Sequence, residues 1–316
     1  MATELELKLM VQPEHQTKVC LFLDEFCSDG AENQHFRRPT LSLMNAYYDT
    51  PEATLLNAGI ALRIRAVDGR FIQTVKTRGS SRVGMHERGE WEWDVPTDSL
   101  DLSLLKEVPL PEELKDLSWS KDIVEVFRTD FERQIWDIQY NGTEIEVACD
   151  NGDVTSPYGR DQISEVELEL KTGNGEDLYS FALVLCDKLP LQVNLVSKAQ
   201  KGARLKNRKI EFPDTPSANS TNLEFAVYWY ETWITYWEAM FYLQDEILIQ
   251  PVRNSMLQLK KCLSDELHNE LDELDRSLSD AMNADNDNVL EALAKVEHTG
   301  KVMLHIGLWL NQQIQF

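Results

Sequence analysis

The sequence predicts an α+β protein: an eight-stranded antiparallel β-barrel, or tunnel, with flanking helices, followed by a small all-α domain. Three observations carry that expectation. Before residue 211 the chain runs in short stretches that alternate polar and apolar residues, the period of a strand. Asp68-Gly69 and Asn141-Gly142 are hairpin dipeptides between such stretches. After the Pro/Ser/Asn stretch Pro213 to Ser220 the spacing turns almost wholly helical.

The elements follow in order. Glu4-Leu5-Glu6-Leu7-Lys8-Leu9 alternates strictly and opens the barrel as a strand with one polar face. Pro13 to Ser28 reads as an amphipathic helix. Strands are expected at 41–48, 60–66, 71–77 and 87–95, then a helical insertion around 98–117. Further strands are expected at 123–136, 138–140, 144–149 and 163–170, and helices at 176–189 and 197–207. Strands joined by hairpins in that number suggest a sheet curled on itself. The barrel unit is placed at residues 1–208, a linker at 209–220 and the helical unit at 221–316. In the helical unit three or four helices are expected. Leu259, Leu263, Leu267, Leu271, Leu274 and Leu278 outline an apolar stripe, and the run from Asn283 to Asn288 breaks the pattern before the last helix. Trp229, Trp233, Tyr236 and Trp237 share one helix. Core packing is the leading reading for them, and a homodimer interface the alternative.

Composition narrows the function. The chain has 316 residues with 54 Asp+Glu against 31 Lys+Arg, a net charge of -23. That disfavours nucleic acid or an anionic membrane as partner, because like charges repel. A local cluster of Lys and Arg, or a metal ion, can still reverse the field inside a cleft. Five cysteines without a CxxC motif suggest a reducing compartment. The first ten residues lack a basic, apolar leader pattern, and no uninterrupted apolar run is long enough to span a bilayer. The expectation is a cytoplasmic enzyme or binding protein.

The unusual feature is the rows of charge. Glu4, Glu6 and Lys8 share one strand face, as do Arg63 and Arg65. Arg88, Glu90 and Glu92 share another; so do Glu144, Glu146 and Asp150, and Glu165, Glu167 and Glu169. The opposite parity is apolar. On one strand, a solvent-facing row is the simpler reading. Repeated on five strands that close a barrel, the rows imply a charged lumen, and inward charges are costly unless paired or bound to ions. Carboxylates at i and i+2 offer hard oxygens to Mg²⁺ or Mn²⁺. Arginines and lysines suit phosphate oxygens. Together they are what metal-assisted phosphoryl transfer needs.

These residues resemble a known family. Glu4-Leu-Glu-Leu-Lys8 is similar to the ExExK opening of the CYTH superfamily, the triphosphate tunnel metalloenzymes. The likeness continues through Tyr47-Tyr-Asp-Thr-Pro51, Gly59-Ile-Ala-Leu-Arg-Ile-Arg65, Thr74-Val-Lys76 and His86-Glu-Arg-Gly-Glu90. It runs on through Thr129-Asp-Phe-Glu-Arg133, Ile145-Glu-Val-Ala-Cys-Asp150, Glu165-Val-Glu-Leu-Glu-Leu170 and Ser197-Lys-Ala-Gln-Lys-Gly202. The order of the motifs is more specific than any one of them. The resemblance implies an eight-stranded tunnel holding a triphosphate. Glu4, Glu6, Glu165 and Glu167 would hold Mg²⁺ or Mn²⁺ and, with Lys8, form the catalytic set. Glu90, Glu146 and Asp150 would complete the acidic side. Lys8, Arg63, Arg65, Lys76, Arg88, Arg128, Arg133 and Lys198 would grip phosphate oxygens.

The implied reaction is that of an inorganic triphosphatase: water attacks the terminal phosphoryl group of tripolyphosphate in line, releasing orthophosphate and diphosphate. Thiamine triphosphatases and class IV adenylate cyclases of the same fold use similar linings. A non-catalytic polyphosphate or nucleotide sensor is the alternative from another class. The helical part resembles the start of a CHAD domain, which often follows CYTH in bacterial inorganic triphosphatases. It departs in being short and acidic, with a single Arg in Gln250-Pro-Val-Arg-Asn-Ser-Met256, so a packing or dimerising module is expected. Two further patterns are set aside. Gly79 to Met85 has P-loop glycine spacing but lacks the Lys-Ser/Thr that follows it there, and Asp285 to Asn288 lacks the turn glycine of an EF-hand.

Overall fold

Eight strands close into a ring because the first strand has a partner on each edge. A computed structural model describes residues 2–28, 35–77, 80–284 and 288–314, with the side chains of 2, 3, 80–82 and 88 outside that description. The strands are β1 (Ala2–Val11), β2 (Phe36–Arg37), β3 (Leu41–Asp49), β4 (Ile60–Val67), β5 (Arg70–Thr77) and β6 (Ser80–Arg82). They continue with β7 (Met85–Val95), β8 (Val124–Tyr140), β9 (Thr143–Ser156), β10 (Gly159–Thr172) and β11 (Leu191–Val193). The ring runs β1-β10-β9-β8-β3-β4-β5-β7 and returns to β1, antiparallel throughout. β1 meets β10 from Glu6 to Met10 and β7 from Ala2 to Leu7. Beyond Leu7, β11 takes over that second edge, with Leu9 opposite Val193. β2 and β6 are short additions to β8 and β7. The eight-stranded antiparallel barrel expected from the sequence is therefore observed, with three short strands attached.

The hairpin turns form where their residues allow it. Asp68-Gly69 and Asn141-Gly142 both take left-handed backbone, with φ of 46° and 74°, and 51° and 83°. Two expectations are corrected. The insertion at 98–117 is not a helix but 3-10 turns at Leu102–Glu107 and Glu112–Leu114, followed by Ser118–Asp122. Pro109 and Pro111 lack amide donors and bar a continuous helix. Buried Gln73 fixes this segment, donating to the Asp101 carbonyl at 3.0 Å and accepting from its N–H at 2.7 Å. The pair of strands expected at 123–136 and 138–140 is one strand, β8.

The outward face is the main core. Leu7, Leu9, Val147, Val166 and Leu168 are fully buried there. Over them lie α1 (Gln16–Ser28), α3 (Glu176–Cys186) and the C-terminal helices. A second cluster puts Leu62, Val75 and Trp91 under Leu105, Leu114 and Trp119. A third lies inside the barrel at one end, where Leu43, Phe127, Phe131 and Ile163 pack with Leu205 beside α4 (Lys198–Arg204). The short α2 (Thr54–Asn57) starts on the Asp49 carboxylate, which accepts from the N–H groups of Leu55 and Leu56.

Residues 211–221 hold no helix or strand. The helices beyond are α5 (Asn222–Leu243), α6 (Ile249–Lys260), α7 (Asp265–Asn283), α8 (Val289–Ala294) and α9 (Thr299–Gln313). The leucine stripe divides between two of them: Leu259 ends α6, and Leu267, Leu271, Leu274 and Leu278 form the buried face of α7. Residues 285–287, inside the break expected at 283–288, lie outside the described residues. Trp233 and Trp237 are completely buried in the cluster that covers the barrel's outer face, so core packing is their role. No helix among the described residues is long and apolar enough to cross a membrane.

The helical region docks tightly on the barrel. A Cβ added at Gly300 of α9 would lie 1.6 Å from the Leu191 carbonyl oxygen of β11. Gly300→Ala is therefore expected to force α9 off the strand and to cost about 3 kcal/mol, measurable as a lower urea midpoint with an unchanged slope.

Candidate active site in the charged lumen

Register places the charged rows face to face. Lys8 lies opposite Glu167 and Glu6 opposite Glu169 across β1–β10. Asp150 of β9 lies opposite Glu165 and also opposite Arg133 of β8. Arg63 and Arg65 of β4 lie opposite Tyr47 and Asn45 of β3, and Lys76 of β5 lies opposite Glu90 of β7. Lys198 comes from outside the ring. Ser197 caps α4 with a reciprocal Ser197–Gln200 capping box, so its first residue, Lys198, starts inside the lumen. Gly202 lets α4 approach, since a Cβ there would lie 2.2 Å from the Phe127 ring.

The buried ions form one network. Lys198 Nζ meets Asp150 at 2.6 Å and Glu167 at 3.0 Å, and donates to Glu165. Arg133 grips Asp150 through two hydrogen bonds of 2.7 and 2.6 Å and Glu167 at 2.5 Å. Lys8 meets Glu167 at 2.9 Å and Glu165 at 3.6 Å. On the facing wall, Lys76 meets Glu4 at 2.7 Å and Glu90 at 3.2 Å, and Arg63 lies 3.7 Å from Glu90. Burial alone would strip these groups of charge, but the partners outweigh it. Lys8 and Lys198 are raised by the carboxylates around them, and Glu167 is held well below its usual range by Lys198, Lys8 and Arg133 against the effect of burial.

Arg65 differs. Its Nε donates to Asn45 Oδ1 at 2.9 Å, and among the described residues no carboxylate lies within ion-pair distance of it. Burial, Arg63 and Arg133 push its guanidinium down to about 10. It is the cation with most to gain from an incoming anion. The cavity that Arg65 lines with Lys8, Lys76, Arg133 and Lys198 has a volume of about 70 Å³.

The acidic side fits a divalent cation. Asp150, Glu165 and Glu167 bring one carboxylate oxygen each within 4.8 Å of one another. Glu165 Oε2 is buried with no hydrogen-bond partner among the described residues. Three hard oxygen donors in one place suit Mg²⁺ or Mn²⁺. The Lys198 ammonium touches all three of these carboxylates.

Comparison with known proteins places the chain. The CYTH domain model matches residues 2–203. The chain belongs to the CYTH family. It is 32% identical over 214 residues to an inorganic triphosphatase of Haemophilus influenzae, a match covering 66% of this chain and 56% of that protein. The chain thus spans about half the length of that curated relative. Among solved structures it is similar to HpAC1 of Hippeastrum, described as having a dominant triphosphatase activity. That similarity has 19% identity and a TM-score of 0.46, over 66% of this chain and 97% of that one. It is also similar to the Mimivirus capping enzyme triphosphatase, at 12% identity and TM-score 0.32, over 58% of this chain and 87% of that one.

Of the CYTH residues carried over from the motifs, Glu4, Glu6, Lys8, Arg63, Arg65, Lys76, Arg133, Glu167 and Lys198 line the cavity, and Asp150, Glu165 and Glu90 pair with them. Arg128 is not among them. Phe127, Phe131 and Arg133 set the inward parity of β8, so Arg128 points outward, where it binds Glu125 through two bonds of 2.6 Å. Glu146 is set apart as well, paired with Arg38 at 2.8 Å and Lys171 at 3.5 Å. The backbone of Arg88 lies opposite Glu4, and its side chain is outside the described residues. Asn45, Tyr47 and Phe131 were not singled out from the sequence as site residues. Tyr47 stacks on Phe127 at 4.5 Å, and the charge of Arg63 outweighs burial and draws the phenol below its usual value. The alternation Leu43-x-Asn45-x-Tyr47 carries the signal, but its residues are uncharged.

Near Glu146 the network is unbalanced. Burial pushes the Glu169 carboxyl up to about 7; Lys171 opposes this and Glu4 and Glu146 add to it. The folded state then holds this proton more tightly than the unfolded chain does. Its contribution to stability declines as pH rises from the ordinary value of 4.5 through about 7. Glu169→Gln removes that decline. Urea unfolding at pH 4 and pH 8 is expected to show the variant gaining on the wild type at pH 8 by on the order of 1–2 kcal/mol.

Proposed function

We propose that the protein is an inorganic triphosphatase, acting on tripolyphosphate with Mg²⁺ or Mn²⁺ in the cytoplasm. One observation carries the reading: six cations, Lys8, Arg63, Arg65, Lys76, Arg133 and Lys198, converge from five elements on one cavity that the carboxylates of Glu4, Glu6 and Glu167 also line. The name of the Haemophilus influenzae relative supports the activity. Free thiols at all five cysteines support a reducing compartment. The net charge of -23 argues against nucleic acid and anionic membranes as partners.

The chemistry follows from what each residue can do. Arg63, Arg65 and Lys76 bind phosphate oxygens along one wall, and Lys8, Arg133 and Lys198 along the other. Gripped from both sides, the phosphate chain presents its terminal phosphorus to water in line with the leaving oxygen. As Lys198 and Arg133 turn to phosphate, they release Asp150, Glu165 and Glu167, which with Glu4 and Glu6 would hold the cation. A divalent ion there supplies charge neutralisation and a more acidic water. Glu165, with one oxygen free, accepts the proton. The bond to the leaving diphosphate breaks, and the surrounding cations balance its charge.

Phosphate release from tripolyphosphate, ATP and thiamine triphosphate, compared with each metal, tests the reading. Tripolyphosphate is expected to be preferred; cyclic AMP as the main product, or tight binding without turnover, would sink it. Arg65→Ala is expected to lower kcat/KM by roughly a hundredfold, the scale of a buried charged phosphate contact of about 3 kcal/mol.

The cation site has its own test. In Lys198→Met the carboxylates of Asp150, Glu165 and Glu167 lose a counter-ion, so the variant is expected to melt lower than the wild type. Mg²⁺ or Mn²⁺ is then expected to raise its Tm by more than it raises that of the wild type. Equal shifts would place the metal elsewhere.

A further inference from the structure

α5 meets the barrel through polar side chains at helical spacing. Glu231 accepts from the Val83 N–H at 2.9 Å, and Trp237 Nε1 donates to Gln192 of β11 at 2.8 Å. Glu238 accepts from Arg204 at 2.8 Å, and Tyr242 donates to the Arg204 carbonyl at 3.4 Å. The Glu238–Arg204 contact stands out for burial, with side-chain exposures of 9% and 6%. Arg204 also binds Asp161 of β10 at 2.8 Å, and its guanidinium lies 3.5 Å from the centre of the Tyr242 ring.

Arg204 is the last residue of α4, and Lys198 is the first. A helix of seven residues has no stability of its own, so its placement depends on what holds it. The Lys198 end rests on carboxylates that a divalent cation would claim, while substrate draws Lys198 itself. The Arg204 end rests on Asp161 and Glu238, which face no substrate. Glu238 lies outside residues 2–203, the part matched by the family model.

We propose that Glu238 is a positioning residue for the tunnel: through Arg204 it anchors α4 and presents Lys198 to phosphate. The C-terminal helices then act on the lumen through one buried ion pair. This inference rests on Lys198 being a phosphate ligand, as in the function proposed above.

A double-mutant cycle on the full chain separates this role from a merely structural one. Glu238→Gln is expected to lower kcat/KM for tripolyphosphate about tenfold. In a Lys198→Met background the same change is expected to alter kcat/KM less than about twofold. Its effect on Tm should be the same in both backgrounds. Glu238→Asp, which keeps the charge, is expected to restore most of the activity. If Glu238→Gln does not fold, Arg204→Lys, which cannot reach Glu238 and Asp161 with a planar fork, takes its place in the cycle with the same expected loss of about tenfold. An equal loss of kcat/KM in both backgrounds, or no loss in the wild-type background, would overturn the proposal. If the wild type shows no turnover, the triphosphatase reading fails; the cycle is then read from tripolyphosphate Kd by calorimetry, with the same criteria.

Discussion

Charge inside a closed ring of strands has nowhere to go except to an opposite charge. The lumen meets that constraint by pairing its lysines and arginines, Arg65 excepted, with carboxylates across the strand registers, and by bringing Lys198 in on a separate helix. Breaking a buried pair of this kind by removing one partner costs about 3–5 kcal/mol, because the remaining charge is stranded. The same pairing makes the site responsive. A polyanion offers the cations new partners, and a divalent ion offers the carboxylates one. Neither fits well without the other, since each alone would leave part of the network uncompensated. Under the function proposed above, a need for a metal would follow from electrostatic balance in the lumen as well as from phosphoryl-transfer chemistry.

The barrel and most of its lining were legible in the primary structure because strand parity and charge coincide. Glu4, Glu6 and Lys8 alternate with leucines, and Glu165, Glu167 and Glu169 with Val166 and Leu168, so inward and outward sets separate without coordinates. Arg128, included from the family resemblance and not from parity, is where the two readings part. It sits next to inward Phe127, and a residue one step out of parity faces the other side of the sheet. Asn45 and Tyr47 were missed for the opposite reason: they share the inward parity but bear no charge, and their importance appears only when Arg65 and Arg63 lie across from them. The 98–122 segment misled because its leucines are spaced as in a helix while Pro109 and Pro111 dictate turns.

Within the lumen the two ends differ in kind. One end is apolar, with Leu43, Phe127 and Ile163 closing around Leu205 beside α4. The centre is ionic, and Phe131 lies at the boundary, its ring centre 4.9 Å from Lys198 Nζ and 5.7 Å from Arg133. Low-dielectric surroundings strengthen every Coulombic contact beside them. An apolar floor under an ionic site therefore strengthens the ion pairs that Lys198 and Arg133 make with their carboxylates.

That floor is built partly by α4, which ties the chemistry to the remainder of the chain. α4 lies on Phe127 through Gly202, on the acidic trio through Lys198, and on α5 through Arg204. α5 in turn belongs to the hydrophobic cluster that covers the outer face of β1, β9 and β10. The strands that supply Glu165 and Asp150 from their inner faces are covered on their outer faces by α1 and α3, which share that cluster with α5. A change in the C-terminal packing would act on the wall formed by α4, β9 and β10. On this view the acidic helical region is tolerated beside a site proposed for polyanions because its buried carboxylate, Glu238, is spent on Arg204 outside the cavity and takes no partner from the lumen's own cations.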